Sequence, residues 1–189
     1  MTEFEKMEQG LNYDPGDEDI LRQQRVLQDK LWVFNQLKPS DIAEKEAYMK
    51  ENFAACGEDC YIELPFHANW GGSHVHFGDG VYANSNLTLV DDGHIYVGDR
   101  VMFGPNVTVA TANHPLEPDL RRQGLQYNRD VTIGENTWLG AGVIVVPGVT
   151  IGKNTVIGAG SVVTKDIPDN VLAVGVPARV IREIPTEKD

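Results

Sequence analysis

The chain has 189 residues, 41% of them hydrophobic, and a formal net charge of −12 at pH 7. A chain of this length buries roughly 70% of the surface its unfolded form exposes, which suits one main domain with an appendage. The acidity argues against a general nucleic-acid or anionic-membrane surface, since both need a basic stripe.

The N-terminus, MTEFEKMEQG, has no basic-then-apolar leader pattern, and no apolar run approaches the ~20 residues of a membrane span. The expectation is a soluble, cytoplasmic protein. Residues 1–60 carry 14 Asp/Glu against seven Lys/Arg and read as a helical cap. From Asp17 onward, Ile20, Leu27, Leu31 and Phe34 recur at helical spacing, with Leu21, Trp32 and Leu37 widening the stripe. Lys38-Pro39 ends that helix, because the residue before Pro is pushed out of the helical region. Ser40 or Asp41 then caps a second helix carrying Ile42, Ala43, Tyr48, Met49 and Phe53. Cys56 and Cys60 form neither a disulfide framework nor a zinc pattern and read as reduced structural thiols.

A solenoid begins near Tyr61 and runs to 168. Its clearest part is Ile133 to Pro168, which divides into IGENTW, LGAGVI, VVPGVT, IGKNTV, IGAGSV and VTKDIP. The first position of each hexad is aliphatic (Ile133, Leu139, Val145, Ile151, Ile157, Val163), and the fifth is small or β-branched. A period of six fits no α-helix. Each unit buries its apolar side chain only by stacking on copies of itself, so the repetition is the fold. Hexads also start at Phe77, Ala83, Val97 and Phe103. Two irregularities interrupt them. Two extra residues fall around Asp91-Asp92-Gly93, and a loop at about 113–130 is extruded after Val109-Ala110-Thr111-Ala112. Loops on rigid scaffolds often carry function. Residues 169–189 form a C-terminal tail, and from Lys165 to Arg182 three basic residues face two acidic ones, which makes this stretch the better candidate for binding an anion.

Five histidines offer chemistry. His74 and His76 alternate and, with a third histidine, make a rival metal constellation, whereas His67 and His94 read as ordinary surface or satisfied histidines. His114 stands where a regular coil gives way to the loop, and Pro115 restrains the chain that leaves it. That setting suits an imidazole held in a cleft for general base work.

The phrases VYANSNLTLVDD, FGPNVT, TANHPL, DVTIGENTWLGAGVIVVPGVTIG and VIGAGSVVTKDIPDNVLAVGVPARVIREI, in this order, resemble the sugar O-acetyltransferases of the hexapeptide-repeat family, the galactoside and maltose acetyltransferases. The resemblance covers nearly the whole chain. It implies a left-handed parallel β-helix, a homotrimer with active sites between neighbouring subunits, and acetyl transfer from acetyl-CoA to a sugar hydroxyl. His114 matches the family's catalytic histidine and Asn84 an active-site asparagine; Tyr82 and Asp92 match the acceptor side. Turn formation for Asn84 and Asp92, and packing for Tyr82, remain alternatives. The family's acceptor-binding aspartate corresponds to Asp14 or Asp17. Around FHANWGGSHVHFG the chain has about one residue more than the family's spacing, with Asn69 and Trp70 where a small polar or acidic residue and an aromatic are expected.

For the cofactor, the family pattern points to Trp138, Ala141, Ala159, Thr164, Lys165, Arg179 and Arg182. Ala141 replaces a frequent Ser, which removes a hydroxyl and keeps a backbone N–H. Coenzyme A carries several phosphate charges, so Lys165, Arg179 and Arg182 offset the acidic field of the protein; their alternative is a solvated surface. No metal is expected. Two rivals to the acetyltransferase stand beside it, a zinc enzyme resembling γ-class carbonic anhydrases and a hexapeptide scaffold without chemistry.

Overall fold

A computed structural model describes residues 1–185. Its body is a left-handed parallel β-helix of triangular section, with three parallel sheets as the faces of a prism. The first face stacks Ala55–Cys56, Val75–Phe77, Ile95–Val97, Val131–Ile133 and Thr150–Ile151. The second stacks Tyr61–Ile62, Tyr82–Ala83, Met102–Phe103, Trp138–Leu139, Val156–Ile157 and Val171–Gly175. The third stacks Phe66–Ala68, Leu87–Val90, Thr108–Ala110, Ile144–Val145 and Val162–Val163. Pairing starts at Ala55, six residues ahead of Tyr61. The tail adds Ala178–Glu183, which folds back antiparallel on Val171–Gly175 and closes that end of the second face.

The hexads make this shape for a local reason. First-position aliphatics and fifth-position residues, such as Ile133 with Thr137 and Ile151 with Thr155, are buried inside the prism. Each fully buried aliphatic contributes about 1.5–3 kcal/mol. The threonine hydroxyls at these positions are paired: Thr137 Oγ1 donates to the Gly152 carbonyl at 2.8 Å and Thr155 Oγ1 to that of Pro168 at 2.9 Å. Along the edge between the first and second faces the chain turns through a left-handed residue. Asn136, Asn154 and Asn170 all have φ between 52° and 56°, a region in which short polar side chains are tolerated.

Register measures the irregularities. Thr132 sits on Thr150, Trp138 on Val156 and Ile144 on Val162, eighteen residues per coil. Val75 sits on Ile95 and Tyr82 on Met102, twenty residues, so the two extra around Asp91-Asp92-Gly93 are accommodated without loss of pairing. Phe66 sits on Leu87, one residue more again. Ile95 sits on Val131, so the loop after Ala110 inserts a full coil's worth of chain without contributing a rung.

Four helices surround this body: α1 (Glu3–Glu8), α2 (Glu18–Phe34), α3 (Ile42–Asn52) and, inside the extruded loop, the short α4 (Pro118–Arg122). Asp17 caps α2, its Oδ1 accepting from the Asp19 and Ile20 amides. Ile20, Leu31 and Phe34 face the body as expected, whereas Trp32 is 66% exposed and does not belong to the stripe. The helix ends at Phe34, short of Pro39, because Asn35 is recruited by the solenoid: its amide donates to the Phe66 carbonyl and accepts the Phe66 N–H, both at 2.8 Å. In α3, Tyr48 and Met49 are buried and Ile42 and Ala43 are exposed. Phe34 stacks on Tyr48 at 4.2 Å, and Phe53 meets Phe77 edge-on at 5.2 Å. These rings seal the N-terminal end of the core. Among the described residues no helix is long and apolar enough to cross a membrane, and both cysteines are free thiols.

Candidate active site

At the corner after Thr108–Ala110 the chain leaves the prism. Ala112–Asn113 pairs antiparallel with Tyr127–Asn128, so the extruded loop returns beside its own start. His114 stands at the mouth of this arm, exposed, ahead of a buried Pro115. Its Nδ1 lies 2.9 Å from the Leu125 carbonyl oxygen. A carbonyl only accepts, so Nδ1 carries a proton, and in the neutral ring the lone pair is on Nε2. The ring thereby presents a basic nitrogen on the side away from the loop.

Beneath the arm lies a polar network. Asp92, from the bulged coil, is buried; its Oδ2 accepts from Asn69 Nδ2 at 2.8 Å and its Oδ1 from Gln126 Nε2 at 3.2 Å. Asn128 Nδ2 donates to the Asp92 carbonyl at 2.8 Å. The structure thus joins two predicted acceptor residues, Asn69 and Asp92, directly. Trp70, next to Asn69, is buried against Phe4 of α1 and the ring of His74. Tyr82 points outward from the second face and stacks on Tyr61 at 6.3 Å, with the rings nearly parallel. Asn84 sits at the following corner, its Oδ1 accepting the Ser85 N–H at 2.8 Å. Asp14 is exposed, with its Oδ1 on the Gly16 amide, whereas Asp17 uses Oδ1 for both cap bonds of α2.

The predicted cofactor residues are arranged by the coil period. Trp138 projects from the second face, half exposed. Ala141 and Ala159 occupy the corner between the second and third faces one coil apart, and the Gly160 N–H donates to the Ala141 carbonyl at 2.8 Å. Thr164 and Lys165 lie at the next corner, and Arg179 and Arg182 on the last strand; all four are exposed. Among the described residues none of the three cations pairs with a carboxylate: Arg179 donates to the Ala178 carbonyl and Lys165 has no salt bridge. Within one chain Ala141 and Ala159 are separated from His114 by the third face, whereas Thr164 and Lys165 follow that face at the same edge as His114. Ala141 and Ala159 stand at the corner before the third face, and His114 leaves from the corner after it.

Three of the remaining histidines, His74, His76 and His94, converge on one another, while His67 is exposed on the third face. His76 Nε2 lies 3.0 Å from His94 Nδ1, and His74 Nε2 and His94 Nε2 approach the Glu8 carboxylate at 3.4 and 3.9 Å. The other nitrogen of His74 faces the Asp91 carbonyl at 2.6 Å. Burial, then His94 and His74, hold the His76 imidazolium below its ordinary range. Among the described residues no group of three His, Cys, Asp or Glu side chains is arranged to hold a metal ion. Asp91 accepts the Trp70 and Gly72 amides at 2.7 and 2.9 Å, and burial pushes its carboxyl up to about 6 against the pull of those bonds.

Tyr13, Leu125, Gln126 and Asn128 were not singled out by the sequence. Tyr13 pairs with Gln126 across 113 residues. Neither lies in a periodic stretch, and no spacing rule connects them.

Residues 130–165 match the family described as bacterial transferase hexapeptide (six repeats), and residues 6–57 match the maltose acetyltransferase hexapeptide capping motif. The galactoside O-acetyltransferase of Lactococcus lactis is 57% identical over 172 residues, covering 91% of this chain and 83% of that protein. A maltose O-acetyltransferase from Clostridium difficile superimposes with a TM-score of 0.95 at 40% identity, covering 98% of this chain and 99% of the other. A galactoside acetyltransferase in complex with coenzyme A superimposes with a TM-score of 0.93 at 44% identity, covering 98% and 92%. The chain belongs to the sugar O-acetyltransferases of the hexapeptide-repeat family, the galactoside and maltose acetyltransferase group, and is an acyltransferase.

Proposed function

We propose that the protein transfers the acetyl group of acetyl-CoA to a hydroxyl of a galactoside, maltose or a related sugar, with His114 as the general base. The observation that carries this reading is the 2.9 Å contact between His114 Nδ1 and the Leu125 carbonyl, which leaves Nε2 as the proton acceptor. In the reaction, Nε2 takes the proton of the acceptor hydroxyl as that oxygen attacks the thioester carbonyl. The tetrahedral oxyanion is held by directed donors, among them the backbone N–H of Ala141. Collapse breaks the C–S bond, and the imidazolium returns its proton to the thiolate, giving the acetyl ester and free CoA-SH.

On the acceptor side we assign Asn84 to the acceptor or thioester, and Tyr82, Asp92, Asn69 and Asp14 to the sugar. Asp14 is favoured over Asp17 because it follows Tyr13, which touches the His114 loop. On the donor side, the exposed cations Lys165, Arg179 and Arg182 suit the phosphates, and Trp138, Ala141, Ala159 and Thr164 line the groove. A homotrimer with sites between neighbouring copies is part of this reading, and the positions of two residues support a shared site. His114 and Ala141 lie on opposite edges of the third face, so a base and a thioester bridging that gap need the edge of a second copy. The two free thiols support a reducing, cytoplasmic setting.

The test is His114→Ala, assayed with acetyl-CoA and a galactoside by release of free thiol. A loss of about 10²- to 10⁴-fold in kcat is expected; near wild-type turnover would rule out the base.

A further inference from the structure

The arm that carries His114 is held from an unexpected direction. The peptide unit between Leu125 and Gln126 is planar, and its carbonyl and N–H point to opposite sides. On one side the Leu125 oxygen receives His114 Nδ1–H. On the other, the Gln126 N–H donates to the Tyr13 carbonyl at 3.0 Å, and the Gln126 carbonyl accepts the Tyr13 N–H at 2.9 Å. The side chain of Gln126 is buried and anchored as well, its Nε2 donating to the Tyr13 hydroxyl and to Asp92 Oδ1. Tyr13 is itself buried, and its hydroxyl donates to Asn128 Oδ1 at 3.4 Å. Burial, then the Asp92 carboxylate, push the Tyr13 phenol up, so it stays a neutral donor and acceptor.

One peptide plane is therefore bonded along both edges, to the histidine on one and to the N-terminal segment on the other. We infer that Tyr13 and Gln126 are positioning residues for His114: the segment between α1 and α2 clamps the Leu125–Gln126 peptide, and that peptide fixes the ring orientation and the Nδ1–H tautomer. The inference rests on His114 being the base. It gives the N-terminal cap a task beyond covering the core, because a peptide free to rotate would turn its carbonyl away and leave the Nε2–H tautomer, which has no lone pair to offer the acceptor.

The experiment uses the full-length protein with 15N-labelled histidine and three variants, Gln126→Ala, Tyr13→Phe and His114→Ala. The wild-type His114 resonances should report the Nδ1–H tautomer. In Gln126→Ala they should move toward a tautomer mixture, kcat should fall about tenfold, the size of one hydrogen bond, and KM for acetyl-CoA should stay within about twofold. Tyr13→Phe, which keeps the ring and the backbone pairing, should shift tautomer and kcat in the same direction by less, and it carries the test if Gln126→Ala does not fold. Unchanged tautomer and kcat in a folded variant would overturn the clamp. Activity retained in His114→Ala would instead overturn the base, and the two failures are told apart because the tautomer is read without substrate.

Discussion

Between Ile133 and Val163 the solenoid runs at eighteen residues per coil, most backbone donors find the carbonyl of the next rung, and inward positions are filled by aliphatics or by hydroxyls bonded to a corner carbonyl; the last turn is shorter, with Ile151 on Ile167 and Val156 on Leu172, sixteen residues apart. Between Phe66 and Ile95, and from Thr111 to Asp130, the chain departs from that period and some of its amides lose a rung to donate to. Side chains take their place. Asp91 receives the Trp70 and Gly72 amides, Thr111 Oγ1 the Gly93 amide at 2.8 Å and Asp130 the His94 amide at 2.9 Å. Buried amides need partners, so bulging a coil requires polar residues inside it. Those same residues surround the candidate acceptor site. The regular coils are held mainly by backbone and shape, with carboxylates taking over where the last turn shortens, at the Thr150 and Lys153 amides; the irregular ones rely on individual carboxylates and amides, and substitutions should affect them differently.

The largest effect should come from crowding the regular coils. A Cβ at Gly134 would lie 2.5 Å from the Lys153 nitrogen and 2.7 Å from the Gly152 carbonyl carbon, both backbone of the next rung. Gly134→Val should therefore cost more than about 4 kcal/mol, seen as loss of the cooperative thermal transition by circular dichroism. At Gly142, with φ +68° and nothing within 4 Å, Gly142→Ala should cost only about 1 kcal/mol through the backbone conformation alone. Equal effects at the two glycines would mean that coil spacing is not what holds this region.

Next comes the bulged coil. Asp91→Ala leaves two buried amides unpaired and should cost about 2–5 kcal/mol by urea unfolding. The carboxyl also has a pH signature. Its folded pKa, about 6, is raised above the ordinary value of 3.8, so its contribution is fully present below about pH 3.8 and is lost as pH rises through 6. Between pH 4 and 7 the stability of the wild type should fall relative to Asp91→Asn. Parallel curves would place the proton elsewhere in the cluster of Glu8, His74, His76, His94 and Asp130.

The same contrast explains what the sequence discloses. Ile133, Leu139 and Val145 repeat at a fixed step, and a repeat needs no knowledge of distant chain to be read, so the prism, the Asp91–Gly93 bulge and the extruded loop are all visible in it. His114 is conspicuous because it stands where the period stops. The Tyr13–Gln126 pairing is invisible, since it joins two aperiodic stretches through one bridge. Trp32 misleads for a related reason: a helical stripe gives the direction of the buried face but not its width, which the Asn35–Phe66 contact limits.

The smallest effect separates the two sources of order within the regular coils. Asn154 has φ 52°, accepts from Asn136 Nδ2 at 2.9 Å and donates through its own Nδ2 to Asn170 Oδ1 at 3.1 Å. If the left-handed corner matters most, Asn154→Ala should cost about 1–2 kcal/mol and Asn154→Gly should restore nearly all of it, because glycine adopts that φ freely and the side-chain ladder lies near the surface, where water replaces its bonds. If Asn154→Gly instead destabilises as much as Asn154→Ala in thermal unfolding, the ladder itself carries the corner. The regular coils would then depend on individual polar side chains as the irregular ones do.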